Sequence, residues 1–207
     1  MTHLYVFPTL VAHYQRECVP EQLSQELQYL QSLPQTENSL CGRPISTTTT
    51  TADIHLRPEM HSAVQFIQNC IDQYLEEMKS TTKLSISASW FNQVLPQGCV
   101  LKHRHKNSVL SGVMYYHNTQ TSPLVLVNPT VETNDIELDI PPDQFDLHNA
   151  RDIQLAAEPG TVILLPSSIQ HLVTHNPAPT PRSQFAFNCW PTDQSVGTPG
   201  RSNYCSM

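Results

Sequence analysis

The sequence has 207 residues, of which 14% are charged, and its formal net charge is −7. That length suffices for one substantial domain with its own core, and six scattered cysteines without a CxxC pair or a signal peptide predict reduced thiols in the cytoplasm. The acidic balance argues against a nucleic-acid partner, and no apolar run approaches the roughly 18 residues that span a membrane.

The first predicted elements in chain order are a strand, a helix and a polar segment. Residues 3–14 predict a strand that Pro8 interrupts. A helix is expected from Pro20, which suits the first turn, because three leucines then recur at helical spacing: Leu23, Leu27 and Leu30. Residues 34–55 are polar and include a threonine run, which predicts a surface loop or an edge strand.

A second helix is predicted to begin near Pro58. Its apolar residues form one stripe over about five turns, which indicates packing against a core. The stripe consists of Met60, Val64, Ile67, Ile71, Tyr74, Leu75 and Met78.

From Lys83 the pattern changes to the period of a strand. Leu84, Ile86, Ala88, Trp90 and Asn92 are expected to share one face of the first of these strands. Short β-rich runs separated by Pro, Gly and Asn follow, and no helical period appears after residue 80.

Two helices followed by many short strands predict an α+β, mainly β fold. We expect a closed or two-sheet β core with the two N-terminal helices packed outside it. The expected organisation is one domain over residues 1–207. Residues 1–82 would form its helical N-terminal part and residues 83–195 its β core.

Two histidines in the segment KHRHKNSVLSGVMYY, residues 102–116, are candidate metal ligands. His103 and His105 are two residues apart at a predicted strand, so both side chains can point to one face, roughly 6.5 Å apart along the chain. A third ligand must come from elsewhere. His171 follows the apolar run TVILLP and is the favoured candidate, and His175 is its competitor. Imidazole nitrogens suit Fe, Zn, Cu and Ni.

Arg182, eleven residues beyond His171, opens the predicted strand RSQFAFN. An arginine on a strand next to a metal site could grip a carboxylate with two parallel hydrogen bonds.

These segments, together with FPTLV near the start and SWFN at residues 89–92, resemble the 2-oxoglutarate/Fe(II)-dependent oxygenases, and in particular a small group common in marine bacteria and their phages. The resemblance covers residues 89–188 best. It implies a double-stranded β-helix, or jelly-roll, core and an enzyme that hydroxylates a substrate with O2 and 2-oxoglutarate as cosubstrates.

The resemblance also implies roles for individual residues. Fe(II) would be held by His103, His105 and His171, and the distal carboxylate of 2-oxoglutarate would be bound by Arg182. One tyrosine of the following strand could assist, since alternation lets only one of the pair face inward. The further pocket candidates are Tyr115, Tyr116, Asn92, Ser111 and Asn188.

Position 105 departs from the usual pattern of that superfamily, which has Asp or Glu there. Three neutral histidines leave an iron site dicationic and could change the preferred metal. Two alternatives therefore stay open: a cupin-like three-histidine dioxygenase that does not use 2-oxoglutarate, and a non-catalytic jelly-roll module that binds a ligand. The substrate, a small molecule or a protein side chain, is not determined by the sequence, and a homodimer is compatible with a jelly roll of this size.

Overall fold

The computed structural model describes residues 9–41, 46–129 and 150–192. The first part of the predicted opening strand, residues 3–8, and the end of the predicted core, residues 193–195, lie outside the described residues.

The described elements run in the predicted order: a first strand, two helices with a polar segment between them, and then the strands of the core. They are β1 (Ala12–Gln15), α1 (Pro20–Ser32), β2 (Gln35–Glu37), β3 (Thr47–Thr49), two 3₁₀ turns (Ile54–Leu56 and Pro58–Met60), α2 (His61–Glu77), β4 (Leu84–Val94), β5 (Val100–His103), β6 (Leu110–Tyr115), β7 (Leu124–Val127), β8 (Asp152–Leu155), β9 (Thr161–Pro166), β10 (His171–Val173) and β11 (Arg182–Pro191). None of the helices in these ranges is both long and apolar enough to span a membrane.

The strands form two antiparallel sheets. One has seven strands in the order β1-β9-β6-β11-β4-β3-β2, and the other has four in the order β5-β10-β7-β8. Neighbours in each sheet are mostly distant in sequence, as in a jelly roll, where successive strands alternate between two facing sheets. The predicted mainly β class with two helices is therefore confirmed.

Two hydrophobic clusters cover the two faces of the larger sheet. One cluster joins side chains of both helices to one face, including Leu30 of α1, Ile67 of α2 and Phe185 of β11. The other lies between the sheets and includes Val113 of β6 and Leu126 of β7. Strand β9 contributes alternate residues to both clusters, which explains its uninterrupted apolar sequence.

One expectation for the N-terminal half needs correction, and the structure decides between the two alternatives of another. Met78, assigned to the apolar stripe of the second helix, lies beyond the helix end and is 54% exposed. The polar segment 34–55 contains two short strands, β2 and β3, which extend the larger sheet to its edge. The alternative of an edge strand was therefore the right one for this part of the segment.

The expected alternation along β4 is also wrong in part. The pairing of β4 with β11 passes from Ala88 to Ile86 and skips Ser87, which is a β-bulge. A bulge shifts the side-chain alternation by one residue. Ile86 therefore packs in the helix-side cluster, whereas Trp90 and Asn92 lie on the opposite face, toward the smaller sheet.

A buried ion pair connects the helical layer to the sheet. Arg16 donates two hydrogen bonds to Glu26 of α1, at 2.8 and 2.9 Å. Arg16 also reaches Ser62 of α2 at 2.9 Å, and the Tyr116 hydroxyl contacts Glu26 at 3.3 Å. The residues that follow β1 and β6 thus contact both helices around this ion pair.

We expect Glu26→Ala to lower the free energy of unfolding by about 3–5 kcal/mol, because it leaves the Arg16 guanidinium buried without its partner. Denaturant unfolding measures this change. Glu21→Ala, in the exposed first turn of the same helix, is the control and should change stability by about 0.5 kcal/mol or less. Equal losses of stability in the two variants would show that removing Glu26 costs no more than removing an exposed glutamate.

Candidate metal centre

The fold brings the three predicted histidines together at the rim of the smaller sheet. His103 is the last residue of β5 and His171 the first of β10, and the two are directly paired across these strands. His105 follows two residues later, where its backbone N–H donates to the Ser167 carbonyl at 3.1 Å. One ligand atom from each imidazole lies within 4.8 Å of the other two.

Hydrogen bonds orient all three rings in the same way. His103 Nδ1 lies 2.8 Å from the Leu101 carbonyl, and His171 Nδ1 lies 3.0 Å from the Ile169 carbonyl. His105 Nδ1 lies 2.5 Å from the Asn188 side-chain oxygen. An imidazole that donates Nδ1–H to such an acceptor keeps the lone pair on Nε2, which is the tautomer that binds a metal.

His105 differs from the other two because its acceptor is a side chain, held in turn by a chain of hydroxyls. Ser111 Oγ lies 2.8 Å from the Asn188 oxygen and 3.0 Å from His105 Nδ1. Ser167 contacts Ser111 at 2.7 Å and Ser108 at 2.8 Å. Asn188 and Ser111, expected as pocket residues, thus lie against the histidine at the unusual position.

Burial keeps the three imidazoles neutral. It lowers the pKa of His171 to about 4, with the neighbouring His103 acting in the same direction. Burial likewise lowers the pKa values of His103 and His105. At neutral pH the three rings therefore present lone pairs, which a divalent metal ion requires of its ligands.

The lowered pKa of His171 predicts how the stability of the metal-free protein depends on pH. The unfolded chain binds a proton at this histidine near pH 6.5, and the folded chain binds it only near pH 4. Below about pH 6.5 the unfolded state therefore binds more protons, so stability falls as the pH falls toward 4. For this buried residue the loss amounts to about 3 kcal/mol at most.

Denaturant unfolding in the presence of a chelator checks this prediction. His171→Gln should lose less stability than the wild type between pH 6.5 and 4, and the difference between the two proteins should stay constant above pH 7. If the free energy of unfolding changed with pH in the same way in both proteins, His171 would not be a buried neutral imidazole in the folded state.

A cavity of about 310 Å³ between the sheets extends from the metal centre, and Tyr115, Gln184 and Asn92 line it. Arg182 lies behind these residues, 3% exposed, with its guanidinium carbon 5.0 Å from the Tyr115 ring centroid and one nitrogen bonded to Gln184. Burial raises the pKa of Tyr115, so its hydroxyl stays a donor at neutral pH.

Four buried polar atoms at this end of the cavity have no hydrogen-bond partner among the described residues. They are Arg182 Nε, Arg182 Nη2, the Tyr115 hydroxyl and Asn92 Oδ1. Buried polar groups are nearly always paired in folded proteins. The two free arginine nitrogens form the donor fork that matches a carboxylate, so the residues present fit a carboxylate-bearing ligand.

The remaining candidates lie elsewhere. Tyr116 lies on the opposite face of the sheet, against Glu26, so the expectation that it lines the pocket is not met. His175 is exposed and bonds to Gln97 at 2.6 Å, away from the cluster.

Two residues of the site were missed from the sequence. Trp90, expected only to share a strand face with Leu84 and Ile86, lies with its ring centroid 5.5 Å from that of His105. Gln184 was not singled out at all. Its position two residues after Arg182 on the same strand was a usable signal, because strand alternation places both side chains on one face.

A two-sheet jelly roll that gathers three neutral histidines beside a buried arginine defines a candidate non-haem metal protein. Residues 88–188, which carry every residue of this site, match the family described as "Putative 2OG-Fe(II) oxygenase". This segment, 101 of the 207 residues, is therefore similar to the 2OG-Fe(II) oxygenases, a family of oxidoreductases.

Solved structures of low sequence identity share the fold. HygX from Streptomyces hygroscopicus, with nickel and 2-oxoglutarate bound, is 12% identical, with 89% of this chain and 84% of HygX covered and a TM-score of 0.62. A 2OG-Fe(II) oxygenase family oxidoreductase from Burkholderia pseudomallei is 11% identical, with 86% and 84% covered and a TM-score of 0.58. A Pseudomonas putida prolyl-4-hydroxylase is 10% identical, with 87% and 92% covered and a TM-score of 0.54. No curated protein matches the sequence.

Proposed function

We propose that His103, His105 and His171 hold Fe(II) in a 2-oxoglutarate-dependent oxygenase that hydroxylates its substrate. The observation that carries this proposal is the convergence of three neutral imidazoles whose Nδ1 atoms all face oxygen acceptors. Bound iron would supply the oxygen chemistry, in which 2-oxoglutarate and O2 become succinate and CO2 as one oxygen atom enters a substrate C–H bond.

Arg182 would bind the distal carboxylate of 2-oxoglutarate through Nε and Nη2. The Tyr115 hydroxyl would donate a further hydrogen bond, and Gln184 would hold the third guanidinium nitrogen in place. This assignment rests on the unpaired donors at the buried end of the cavity. A charged donor pair in a water-poor pocket favours a carboxylate strongly, because burial of the guanidinium without an anion is costly.

His105 would take the place of the carboxylate ligand usual in the superfamily. A neutral imidazole adds no negative charge to a divalent metal, so the dianionic cosubstrate would provide the compensating charge. The acceptor at Asn188 is also neutral. The hydrogen bond to Asn188 therefore orients the His105 ring. It does not add negative charge to the ring, as a carboxylate partner would.

We propose further that the chain acts as one domain, in which the N-terminal strands β1, β2 and β3 complete the β core of residues 83–195. We also propose that it works in the cytoplasm on a small-molecule substrate. A homodimer and membership of the group from marine bacteria and phages stay predictions.

The experiment that tests the proposed function is conversion of 2-oxoglutarate to succinate by the purified protein with Fe(II) in air. Many such reactions proceed slowly without a substrate, so we expect slow succinate formation that stops on addition of a chelator. His103→Ala, which removes one ligand, should reduce the rate to the background of free iron. Iron binding without any succinate would favour the three-histidine dioxygenase that does not use 2-oxoglutarate.

A further inference from the structure

The charge at the opening of the cavity indicates what kind of substrate enters it. Among the described residues that line the cavity, three are exposed to solvent, and they mark the place where it opens: Leu40, Arg104 and Lys106. Two of the three are cations. We call these three residues, with the partly exposed Trp90 beside them, the cavity mouth.

No aspartate or glutamate is among the described residues that line the cavity. This is unexpected in a chain with 18 acidic and 11 basic side chains. Neither Arg104 nor Lys106 forms an ion pair within the described ranges. Both cations line the cavity, and Arg104 also borders a second cavity beside Val127 and Gln170. No ion pair of the described residues competes with an incoming anion for either of them.

The position of the cations follows from the metal motif itself. In the segment Lys102 to Lys106, basic residues alternate with the two histidines, so Arg104 lies between His103 and His105. A cation at this point would raise the electrostatic potential of a centre whose three protein ligands are neutral. An anion at the mouth would relieve this accumulation of positive charge.

The cations at the mouth are distinct from Arg182. That residue is 3% exposed and lies behind the cavity-lining Tyr115 and Gln184, whereas Arg104 and Lys106 are exposed. In the proposed function the inner arginine binds the cosubstrate, so the outer pair is left for another molecule. A cavity of about 310 Å³ that must hold both molecules admits only a small one.

We propose that the substrate is a small organic anion, a carboxylate or a phosphate, whose charged group binds Arg104 and Lys106. Its apolar part lies against Leu40 and Trp90, next to the metal centre. This inference rests on the proposed function, because it takes the inner end of the cavity to be occupied by 2-oxoglutarate. The reaction would replace one C–H of this anion by C–OH with one oxygen atom of O2, while the other atom enters succinate. Of the four electrons that O2 takes up, two come from 2-oxoglutarate as it loses CO2 and two from the C–H bond of the anion.

The test is calorimetric titration of the full chain loaded with Ni(II) and saturating 2-oxoglutarate, at physiological salt. The probes are 3-phenylpropionate, phenyl phosphate and the neutral 3-phenylpropionamide. We expect at least one anion to bind about tenfold or more tightly than the amide, since the neutral amide cannot form charge-assisted hydrogen bonds with Arg104 and Lys106. The anion that binds more tightly indicates whether the charged group of the substrate is a carboxylate or a phosphate.

The double variant Arg104→Gln/Lys106→Gln should lose this preference for the anion. The matched control is Lys102→Gln, which removes a cation from the same segment at a residue that does not line the cavity. It should bind the probes as the wild type does. Binding of the anion should also be independent of the 2-oxoglutarate concentration once that site is saturated.

Three results would overturn the inference: failure of both anions to bind, equal binding of the amide, or an unchanged preference in the double variant. The titration of 2-oxoglutarate into the Ni(II) protein is recorded separately. If that binding is absent, the proposed function fails. If it is present and the anion preference is absent, only the substrate inference fails.

Discussion

Replacing His171 by alanine is expected to reduce metal affinity by more than about 100-fold and to abolish succinate formation. Loss of an outer hydrogen-bond partner of a metal ligand already costs about 10–100-fold in affinity, and loss of a ligand costs more. His171 is the most buried of the three histidines, at 7% exposure, and it is paired with His103 across two strands. Titration with Fe(II) or Ni(II) under anaerobic conditions measures the loss.

His175→Ala is the matched control for this prediction. It removes an exposed imidazole four residues further along, which bonds to Gln97 outside the cluster. Metal affinity should be that of the wild type in this variant. Wild-type affinity in His171→Ala, with the fold intact by circular dichroism, would show that the metal binds elsewhere.

Arg182→Leu should weaken 2-oxoglutarate binding by about 2–5 kcal/mol, which is roughly 30-fold to several thousandfold in Kd. The reason is the loss of the two buried donors that have no partner within the described residues. A leucine fits a buried position, so the fold should be retained. Arg182→Lys keeps the charge but not the donor fork, and it should recover only part of the affinity.

Metal affinity provides the control for the Arg182 variants. The guanidinium is not among the groups that could hold the ion, so Ni(II) should bind all of them as it binds the wild type. Wild-type affinity for 2-oxoglutarate in Arg182→Leu would assign the cosubstrate carboxylate to another residue.

The main features of the centre could be predicted from the sequence because they follow from local periodicity. The expected alternation brings the imidazoles of His103 and His105 to one side, although β5 ends at His103 and His105 lies two residues beyond it. The position of His171 after an apolar strand made it the favoured third partner. The class of fold followed from the change of period near Lys83. The pairing of His103 with His105 and the class of fold need only the chain's own repeat lengths, whereas the full ligand set was what the family resemblance implied.

Other features depended on the pairing between strands, which a single sequence does not reveal. The bulge at Ser87 moved Trp90 to the cavity side, and no local signal marks it. Alternation showed that only one of Tyr115 and Tyr116 could face inward, but the choice depended on which face of β6 the helices cover. The contact of Ser167 with Ser111 joins residues 56 apart in sequence, so it emerged only from the fold.

The most direct test of the central claim is anaerobic titration of the protein with Fe(II) and then with 2-oxoglutarate, followed by visible absorption. Chelation of iron by the keto acid in a three-histidine site should produce a charge-transfer band at one equivalent of each. The band should be absent in His171→Ala and weakened in Arg182→Leu. Stoichiometric iron binding with no band on addition of 2-oxoglutarate would contradict the proposed use of this cosubstrate.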